Sequence, residues 1–590
     1  MKRKRVLSIM MAQSLVMACL AGCGGGTAGD DAAATPPAEE NEATAAEGED
    51  GAASTEAEES KDDQGAAQED VDPFGKYEDG LEIHFARQVD ENMYDNALAN
   101  LPGQSVEENI WLDTYKEEIG VQVVYDWYVK GAPEYEQKVS ATIASGELPD
   151  VMDVTAAQMM QLADAGLIWD MSEIYDTYAA DFTKEVMMQE GDTAFVAAQK
   201  NGMLCGIPES GGASDSVDLL WIRQDWLDNL GLEQPKNIDE LINVIEKFTT
   251  DDPDGNGVDD TYGLGVAGSP NVLRRNYGSL VGFFDAFGAH PTIWVEKDGK
   301  LVYGGIQPEC KEALAKLQEL YKKGYIDPEF GVMDPSKAGE AAAAGKCGVT
   351  YGQQWLPLVY FHSNYTLDSN AQWTAFEPVS VSGDPVEASA EVGVSRWIVV
   401  NKDFEHPEAV VKMSNVFIEK CWGETGDNGK YYAPPDAESI WKLSPVQTQM
   451  PLKNVMAFRD IEKAKAADAT DSLNGEAKSI WDKLDRYYSG EGTSMEWGWE
   501  RIYGPDPSSY SAIDRMISED RIYINRFSGA PTETMTEKMS TLESMRDEAF
   551  TKIIMGDSSI DEFDAFVENF NKLGGEQITA EVNEWYASAQ

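Results

Sequence analysis

The stretch DDPDGNGVDD, residues 251–260, contains the side chains whose spacing most clearly suggests chemistry. It matches the start of a twelve-residue EF-hand loop, with Gly257 at the sixth position, where the backbone must turn sharply. The first, third, fifth and ninth positions hold oxygen-bearing side chains, namely Asp252, Asp254, Asn256 and Asp260. The chemistry that this spacing predicts is the binding of Ca²⁺ by carboxylate and amide oxygens.

The rest of the loop departs from an EF-hand. Its twelfth position should be a bidentate Glu but is Gly263, and the carbonyl of Val258 is a further candidate ligand. The sequence predicts a helix before the loop (NIDELINVIEKF) but a strand after it (TYGLGVAG), so there is no helix pair to open. We therefore expect a structural Ca²⁺ site, completed by Thr261 or by water. The alternative is a solvated Asp/Asn/Gly turn without an ion.

Other motifs that could support catalysis are incomplete. GLGVAG matches a dinucleotide-binding pattern but lacks the strand before it and the helix after it, and GEAAAAGKCG departs from a phosphate-binding loop. The four histidines are scattered singly, without metal-ligand spacing. No catalytic constellation therefore stands out from the background of the sequence.

The N-terminus predicts export. MKRKR is followed by the apolar run VLSIMMAQSLVMACL and then LAGC, the arrangement of a signal peptide over residues 1–22. Leu20 to Cys23 resemble the bacterial lipobox, in which the cysteine becomes the lipid-modified first residue. We expect lipidation at Cys23 and localisation on the extracellular face of the cell membrane; the alternative is ordinary cleavage that leaves Cys23 unmodified. Residues 23–75, rich in Ala, Gly and acidic residues, are expected to form a disordered tether.

Net charge and cysteine spacing argue against a nucleic-acid-binding protein and against a disulfide-stabilised fold. The formal net charge of −59 argues against nucleic acid as a partner, because phosphate binding needs clustered Lys and Arg. Beyond the leader and Cys23 the cysteines are few and widely spaced, which favours small buried residues, although one or two disulfides are possible: Cys205, Cys310, Cys347 and Cys421.

From residue 80 onward, predicted strands alternate with predicted helices. LEIHFAR, VQVVYDWYV and PDVMDVT read as strands, and the segments between and after them read as helices. A second such unit begins at VDLLWIR, and the last hundred residues read as mostly helical. This pattern predicts two α/β lobes with a helical C-terminal addition, and ligands at the carboxyl ends of the strands.

Several segments, read together and in order, resemble a known family. YEQKVSATIASGELPDV, LLWIRQDWLDNLGL, TTDDPDGNGVDDTYGLG, LAKLQELYKKGYIDPEF, HPEAVVKMSNVF and ITAEVNEWY are similar to the extracellular solute-binding lipoproteins of bacterial carbohydrate ABC importers, in the larger subgroup with a structural calcium loop. The resemblance implies an α/β, two-lobe, periplasmic-binding-protein-like (type II) fold with extra C-terminal helices. It also implies a protein without catalytic activity that captures a carbohydrate, most simply an oligosaccharide, and delivers it to ABC permease subunits. We expect it to be a monomer and not an enzyme.

The resemblance also suggests how the chain divides. We expect the first parts of lobe 1 and lobe 2 at residues 76–208 and 209–345, a return to lobe 1 at 346–395, and a return to lobe 2 with the C-terminal helices at 396–590.

A sugar presents apolar C–H faces that suit aromatic rings, and hydroxyls that suit planar polar side chains. Candidates are aromatic or polar residues near strand ends and connecting loops: Gln88, Asp153, Glu209, Trp355, Arg396, Trp397, Trp497 and Trp499. Two other functions stay open, namely a binding protein for a peptide or another polar solute, and a surface carbohydrate-active enzyme with two paired carboxylates.

Overall fold

The computed structural model describes residues 71–95, 98, 101–434 and 440–589. The predicted signal peptide, Cys23 and nearly all of the predicted tether lie outside the described residues.

Fifteen strands are assigned in the described residues. In chain order they are β1 (Leu81–Val89), β2 (Val121–Lys130), β3 (Val151–Val154), β4 (Gln199–Lys200), β5 (Met203–Leu204), β6 (Ile207–Ser210), β7 (Leu219–Arg223), β8 (Tyr262–Gly265), β9 (Trp294–Lys297), β10 (Lys300–Tyr303), β11 (Cys347–Gly352), β12 (Trp373–Phe376), β13 (Ala388–Ala390), β14 (Val394–Val400) and β15 (Ile522–Ile524).

Twenty-two α-helices accompany them in the same part of the chain. They are α1 (Glu91–Asp95), α2 (Ile110–Ile119), α3 (Ala132–Ser145), α4 (Ala156–Asp164), α5 (Ser172–Tyr178), α6 (Asp181–Met187), α7 (Thr193–Val196), α8 (Gln224–Leu230), α9 (Ile238–Thr250), α10 (Val281–Asp285), α11 (Pro308–Lys322), α12 (Pro335–Ala343), α13 (His362–Leu367), α14 (Glu408–Trp422), α15 (Asn428–Tyr431), α16 (Lys453–Ala466), α17 (Gly475–Tyr488), α18 (Ser494–Tyr503), α19 (Ser509–Ser518), α20 (Glu533–Met555), α21 (Glu562–Phe570) and α22 (Glu576–Ala589).

Lobe 1 is built on a five-stranded sheet of order β2-β1-β3-β14-β6. β1 pairs in parallel with β2 and β3, whereas β14 runs antiparallel to both β3 and β6. The carboxyl ends of β1, β3 and β6 therefore meet the start of β14 at one edge of the sheet. The end of β3 leads directly into α4, whose N-terminus is closed by a capping box between Thr155 and Gln158.

Lobe 2 is built on a four-stranded sheet of order β12-β7-β11-β8. β11 pairs antiparallel to β7 and parallel to β8, so that β8 and β11 end at the same edge. Helices α16 to α19 pack over one part of this lobe around Trp221 and Trp373, and α20 to α22 pack over another around Phe284 and Phe550.

The predicted returns between lobes are wrong. β11 and β12, predicted in a return to lobe 1 at 346–395, hydrogen-bond within the lobe 2 sheet, and β14, predicted in lobe 2, lies in the lobe 1 sheet. Both sheets consist largely of buried apolar strands, so the residue pattern of a strand does not tell which sheet it joins.

The chain passes between the lobes at 211–218, 391–393 and 451–452. These crossings pack closely because two of them meet at glycines. The Gly211 amide donates to the Gly393 carbonyl at 2.5 Å, and a Cβ on Gly393 would lie 2.2 Å from the Gly211 oxygen. The crossings form a compact connection beside the lobe 1 sheet edge.

In the described part of the chain, no helix combines the length and apolar character needed to cross a membrane.

Candidate functional site

A cavity of about 460 Å³, the sheet-edge cavity, opens at the carboxyl edge of the lobe 1 sheet. β1, β3, β6 and β14 all contribute to it, together with two of the crossings and the segment 441–449. Its lining residues are Arg87, Gln88, Asp90, Asp153, Glu209, Ser210, Gly211, Gly212, Val392, Gly393, Val394, Arg396, Trp441, Lys442, Pro445, Gln447 and Gln449. Four of the eight sequence-predicted ligand residues therefore lie in one cavity: Gln88, Asp153, Glu209 and Arg396.

Arg87 fastens one wall of this cavity to the sheet. Its side chain is buried, and its guanidinium donates to the carbonyl oxygens of Lys442 at 2.9 Å, Leu443 at 3.1 Å and Ser444 at 2.6 Å. A charged donor that reaches three neighbouring carbonyls is a strong link, and the buried Leu443 carbonyl depends on it most, since Gln447 Nε2 also donates to the carbonyls of Lys442 and Ser444. Arg87 thus positions the segment 441–449 rather than offering free donors to a ligand.

Two carboxyl groups face the cavity, those of Asp153 and Glu209. Burial raises the pKa of Glu209 to about 8, and the negative charge of Asp153 acts in the same direction, while Arg87 opposes both. The Glu209 Oε1 atom accepts from the Gln447 amide at 3.1 Å, and Asp153 Oδ1 accepts from the Tyr135 hydroxyl at 2.7 Å. The raised pKa favours the protonated form of Glu209, which can donate a hydrogen bond in the same cavity as the acceptor oxygens of Asp153.

Two nitrogen donors of the lining lack hydrogen-bond partners. Arg396 lies over the Tyr135 ring and donates through Nη2 to Glu136 at 3.2 Å, but its Nη1 is buried without a hydrogen bond, 3.7 Å from Asp153 Oδ2. Gln449 Nε2 is likewise buried and unbonded. Because unsatisfied buried donors are costly, hydroxyls of a bound molecule that reached them would be stabilised.

A second and larger cavity, the helix-side cavity, has a volume of about 1180 Å³ and lies between the lobes. Residues 428–434 of lobe 1 form one side, and the segment 354–358 after β11 and helices α16 to α19 of lobe 2 form the other. Its aromatic lining residues are Trp355, Tyr432, Trp499, Tyr503 and Tyr510. Lys453 Nζ lies 2.9 Å from Glu476 Oε1, while Glu476 Oε2 and Asn428 Nδ2 are buried without partners.

The two cavities share a wall. Trp441 of the sheet-edge cavity stacks on Tyr432 of the helix-side cavity, with ring centroids 5.8 Å apart and planes inclined by 11°. The Tyr432 hydroxyl also donates to Gln449 Oε1 at 3.1 Å. Trp441, Tyr432 and Gln449 thus form the wall between the two cavities, and each cavity is lined by one of the two rings.

Trp355 and Trp499 line the helix-side cavity, but the structure places Trp397 and Trp497 in the core. Trp497 is 0% exposed and stacks on Tyr365, with centroids 4.7 Å apart. Residues two apart on a helix lie on nearly opposite faces, so only one of Trp497 and Trp499 can face a cavity.

Trp397 is 4% exposed, and its Nε1 donates to the Ala194 carbonyl at 3.3 Å. Adjacent strand residues alternate between faces, so Arg396 faces the sheet-edge cavity while Trp397 faces the core; its edge reaches only a smaller cavity of about 330 Å³. For both tryptophans, the prediction of a ligand-stacking role is therefore corrected to core packing.

Sequence reasoning missed the wall formed by 441–449. Trp441, Gln447 and Gln449 follow no predicted strand, and nothing in IWKLSPVQTQM indicates a ligand contact. The segment reaches the sheet edge because Arg87, 355 residues or more before it in the chain, binds its carbonyls. The one sequence signal that could have pointed to this link is an arginine within the predicted strand LEIHFAR.

In the acidic loop at 251–260, the side chains hydrogen-bond within the loop or pair with Lys346. Asp252, with φ of 49°, accepts from the Gly257 amide at 3.0 Å, and Asp254 accepts from the Asn256 side-chain amide at 2.7 Å. Asp260 pairs with Lys346. Within the described residues, no group of three or more Asp, Glu, His or Cys side chains is arranged to hold a metal ion.

The donor chemistry of the loop nevertheless fits a hard cation. All the candidate ligands are oxygens, and the Asn256 Nδ2 group, which carries partial positive charge, lies 2.7 Å from Asp254 and 3.5 Å from Asp260. Rotation of Asn256 would present its Oδ1 in place of this amide. Calcium binding at Asp252, Asp254, Asn256, Val258 and Asp260 stays a prediction.

Comparison with known proteins places these features in a family. The chain is 24% identical to the polygalacturonan/rhamnogalacturonan-binding protein YtcQ of Bacillus subtilis, over 77% of this chain and 84% of YtcQ. It is 25% identical to the lipoprotein LipO of the same organism, over 77% and 85% of the two chains. An HMO binding, ABC-transporter associated solute-binding protein from Bifidobacterium longum infantis shares the fold, with a TM-score of 0.61, 16% identity, and coverage of 86% of this chain and 98% of that one.

The neighbouring structures are two-domain solute-binding proteins, and the predicted fold class is confirmed. The family model of the bacterial extracellular solute-binding proteins matches residues 99–419. That match covers more than half of the chain and includes every strand from β2 to β14. The chain belongs to the bacterial extracellular solute-binding protein family.

Proposed function

We propose that this protein is a lipid-anchored extracellular solute-binding protein that captures an oligosaccharide between its lobes and delivers it to an ABC permease. The observation that carries the proposal is the pair of adjoining cavities, in which aromatic rings occur beside buried polar atoms without partners. Sugars need this combination, because they present C–H faces and hydroxyls together.

The relatives support the choice of ligand and location. YtcQ is named as a binder of two polysaccharides, and LipO is named as a lipoprotein. These names agree with the lipobox at Cys23 and with the ring-lined cavities, and they favour a sugar over a peptide. They also favour a binding protein over an enzyme.

Calorimetry of the purified protein against a glycan panel tests the proposal. We expect binding without turnover, with micromolar affinity, which requires about 8 kcal/mol. Arg396→Met and Gln449→Leu should weaken binding, whereas Arg459→Met, at an exposed pair with Asp514, should not.

The same experiment separates the alternatives. Asp153 and Glu209 share a cavity, and the pKa of Glu209 is raised by burial, as that of the acid of a glycosidase would be. Release of shortened products from any glycan would therefore refute the binding-protein proposal. Binding only to members of a peptide library would mean that the ligand is a peptide and not a sugar.

Lipid anchoring has its own test. Cys23→Ala should move the protein from the membrane fraction to the medium, and mass spectrometry of the wild-type N-terminal peptide should show a lipid on Cys23. Recovery of unmodified wild-type protein in the medium would contradict the anchor.

We also propose that the loop at 252–260 binds a structural Ca²⁺ ion, on the basis of its oxygen ligands and spacing.

A further inference from the structure

One lysine in the helix-side cavity has no carboxylate partner. Lys483, on α17, donates only to Ser479 of the same helix, to its carbonyl at 3.3 Å and its hydroxyl at 3.1 Å. Among the described residues, no Asp or Glu oxygen lies within 4.0 Å of its Nζ atom, which is 4.5 Å from the Trp499 ring centroid. Burial lowers the pKa of Lys483, and repulsion from Arg486 acts in the same direction.

The other basic side chains of this cavity are paired. Lys453 lies 2.9 Å from Glu476, Lys478 pairs with Asp482, and Arg486 lies 2.8 Å from Glu496. Lys483 is therefore the exception among the cations that line the cavity in the described structure.

The balance of charge in this cavity opposes that of the whole chain. The chain has 46 Lys and Arg against 105 Asp and Glu. The basic residues of the lining are Lys453, Lys478, Lys483 and Arg486, and the acidic ones are Glu476, Asp482 and Asp485. Glu476, Asp482 and Glu496 attract the Lys483 ammonium only from beyond contact distance. A partly buried cation with no carboxylate in contact, in a chain so rich in carboxylates, leaves room for a contact anion supplied by a ligand.

The position of Lys483 suits a sugar that carries this counter-charge. Trp499 packs against Tyr503, with centroids 5.8 Å apart, and thereby fixes the surface on which the Lys483 ammonium lies. Trp355, on the same cavity and half-buried, has its Nε1 bonded to Gln353 at 3.1 Å and is the ring left to stack on a pyranose.

We propose that the helix-side cavity selects an oligosaccharide bearing a carboxylate, a uronic acid, whose anionic group pairs with Lys483. This inference rests on the proposed function, since it names the class of sugar that the binding protein takes. The long-range repulsion by the acidic chain is screened at physiological salt, whereas a contact pair in a partly buried cavity is screened much less.

Calorimetry with a panel of uronic-acid oligosaccharides, each compared with its own methyl ester, tests the proposal. The ester keeps the ring and hydroxyls and loses only the charge. We expect at least one acid to bind about tenfold more tightly than its ester, a difference of ~1.4 kcal/mol. Lys483→Met should abolish that preference by lowering the affinity for the acid to that of the ester, and Lys483→Arg should retain much of it.

Lys478→Met is the matched control, because Lys478 lies on the same helix and lines the same cavity but already has a carboxylate partner. It should leave the preference intact. Binding of the ester by Lys483→Met is the control for folding, because an unfolded variant would bind neither form of the sugar.

The results that would overturn the proposal are distinct from failure of the proposed function. Neutral glycans that bind as tightly as the acids, or a preference for acid that survives Lys483→Met, would overturn the charge assignment and leave sugar binding in place. Failure of every acidic and neutral glycan to bind would overturn both. Binding of inorganic sulfate or phosphate alone, without the sugar, would reduce Lys483 to a simple anion contact and also refute the proposal.

Discussion

Replacing Arg87 with Met should release the segment 441–449 from the lobe 1 sheet. Methionine fills much of the same volume but removes the charged donor from the carbonyls of residues 442–444, and only those of Lys442 and Ser444 keep a second donor, Gln447 Nε2. A hydrogen bond to a charged group contributes about 1.5–3 kcal/mol, and the three contributions are not additive because water can enter the opened space. We expect the free energy of local opening to fall by about 3–5 kcal/mol.

Hydrogen exchange can measure this change at two amides. The Gln447 amide donates to Glu209, and the Gln449 amide donates to the Ser210 carbonyl at 3.0 Å, so both are protected while the segment is closed. A loss of 3–5 kcal/mol corresponds to a decrease in protection of about 100- to 4,000-fold. Sugar affinity should fall less, because it depends only on the fraction of molecules in which the segment is still closed.

The controls separate local from global effects. The Leu264 amide, bonded to the Tyr325 carbonyl at 3.0 Å in lobe 2, should keep its protection in Arg87→Met. Arg459→Met, at an exposed pair on α16, should leave all three amides unchanged. Equal protection of Gln447 and Gln449 in wild type and Arg87→Met would refute the role given to Arg87.

Three further predictions follow from the packing, the protonation and the acidic loop. Trp497→Ala should lower the free energy of unfolding by about 3–5 kcal/mol in urea denaturation, because this 0% exposed ring leaves a cavity; a loss below about 1 kcal/mol would contradict its core position. The pKa of Glu209 is raised from its ordinary value of 4.5 to about 8 in the folded protein, so ionisation of this side chain opposes folding. The free energy of unfolding should therefore fall as the pH rises from 4.5 through about 8. Melting curves of Glu209→Gln should lack this decline. Superimposable pH profiles of the melting temperature for the wild type and Glu209→Gln would contradict the prediction. Calcium at a hundredfold excess over its Kd should stabilise the wild type by about 2.7 kcal/mol, while Asp254→Ala should respond to neither calcium nor chelator; a wild-type melting temperature indifferent to both would reject the ion.

Local sequence rules predicted the elements but not all of their partners. α2 ends at Gly120 and α3 at Gly146, both in the left-handed conformation that the glycines predict. The polar site residues at strand ends were predictable because topology brings such ends together, as it does for Gln88, Asp153 and Glu209.

Contacts across long sequence distances were not predictable. The link from Arg87 to Ser444 and the stack of Tyr432 on Trp441 depend on how two loops fold back over the sheet, and no periodicity encodes that. The assignment of β11 to a lobe failed for a related reason, because a buried strand fits the interior of either sheet. The pairs Arg396 and Trp397, and Trp497 and Trp499, show that side-chain direction must be considered before neighbours are given a shared role.

The four cysteines of the described structure are free and buried: Cys205, Cys310, Cys347 and Cys421. Burial raises the pKa of Cys205 to about 11 and that of Cys347 to about 12, so at neutral pH these thiols are poor nucleophiles. Maleimide dyes should therefore react with cysteines introduced at exposed sites, such as Met188 in lobe 1 and Leu367 in lobe 2, before the native ones. The folded region thus offers a scaffold for an optical sugar sensor, in which energy transfer between two dyes would report the separation of the lobes without removal of any native cysteine.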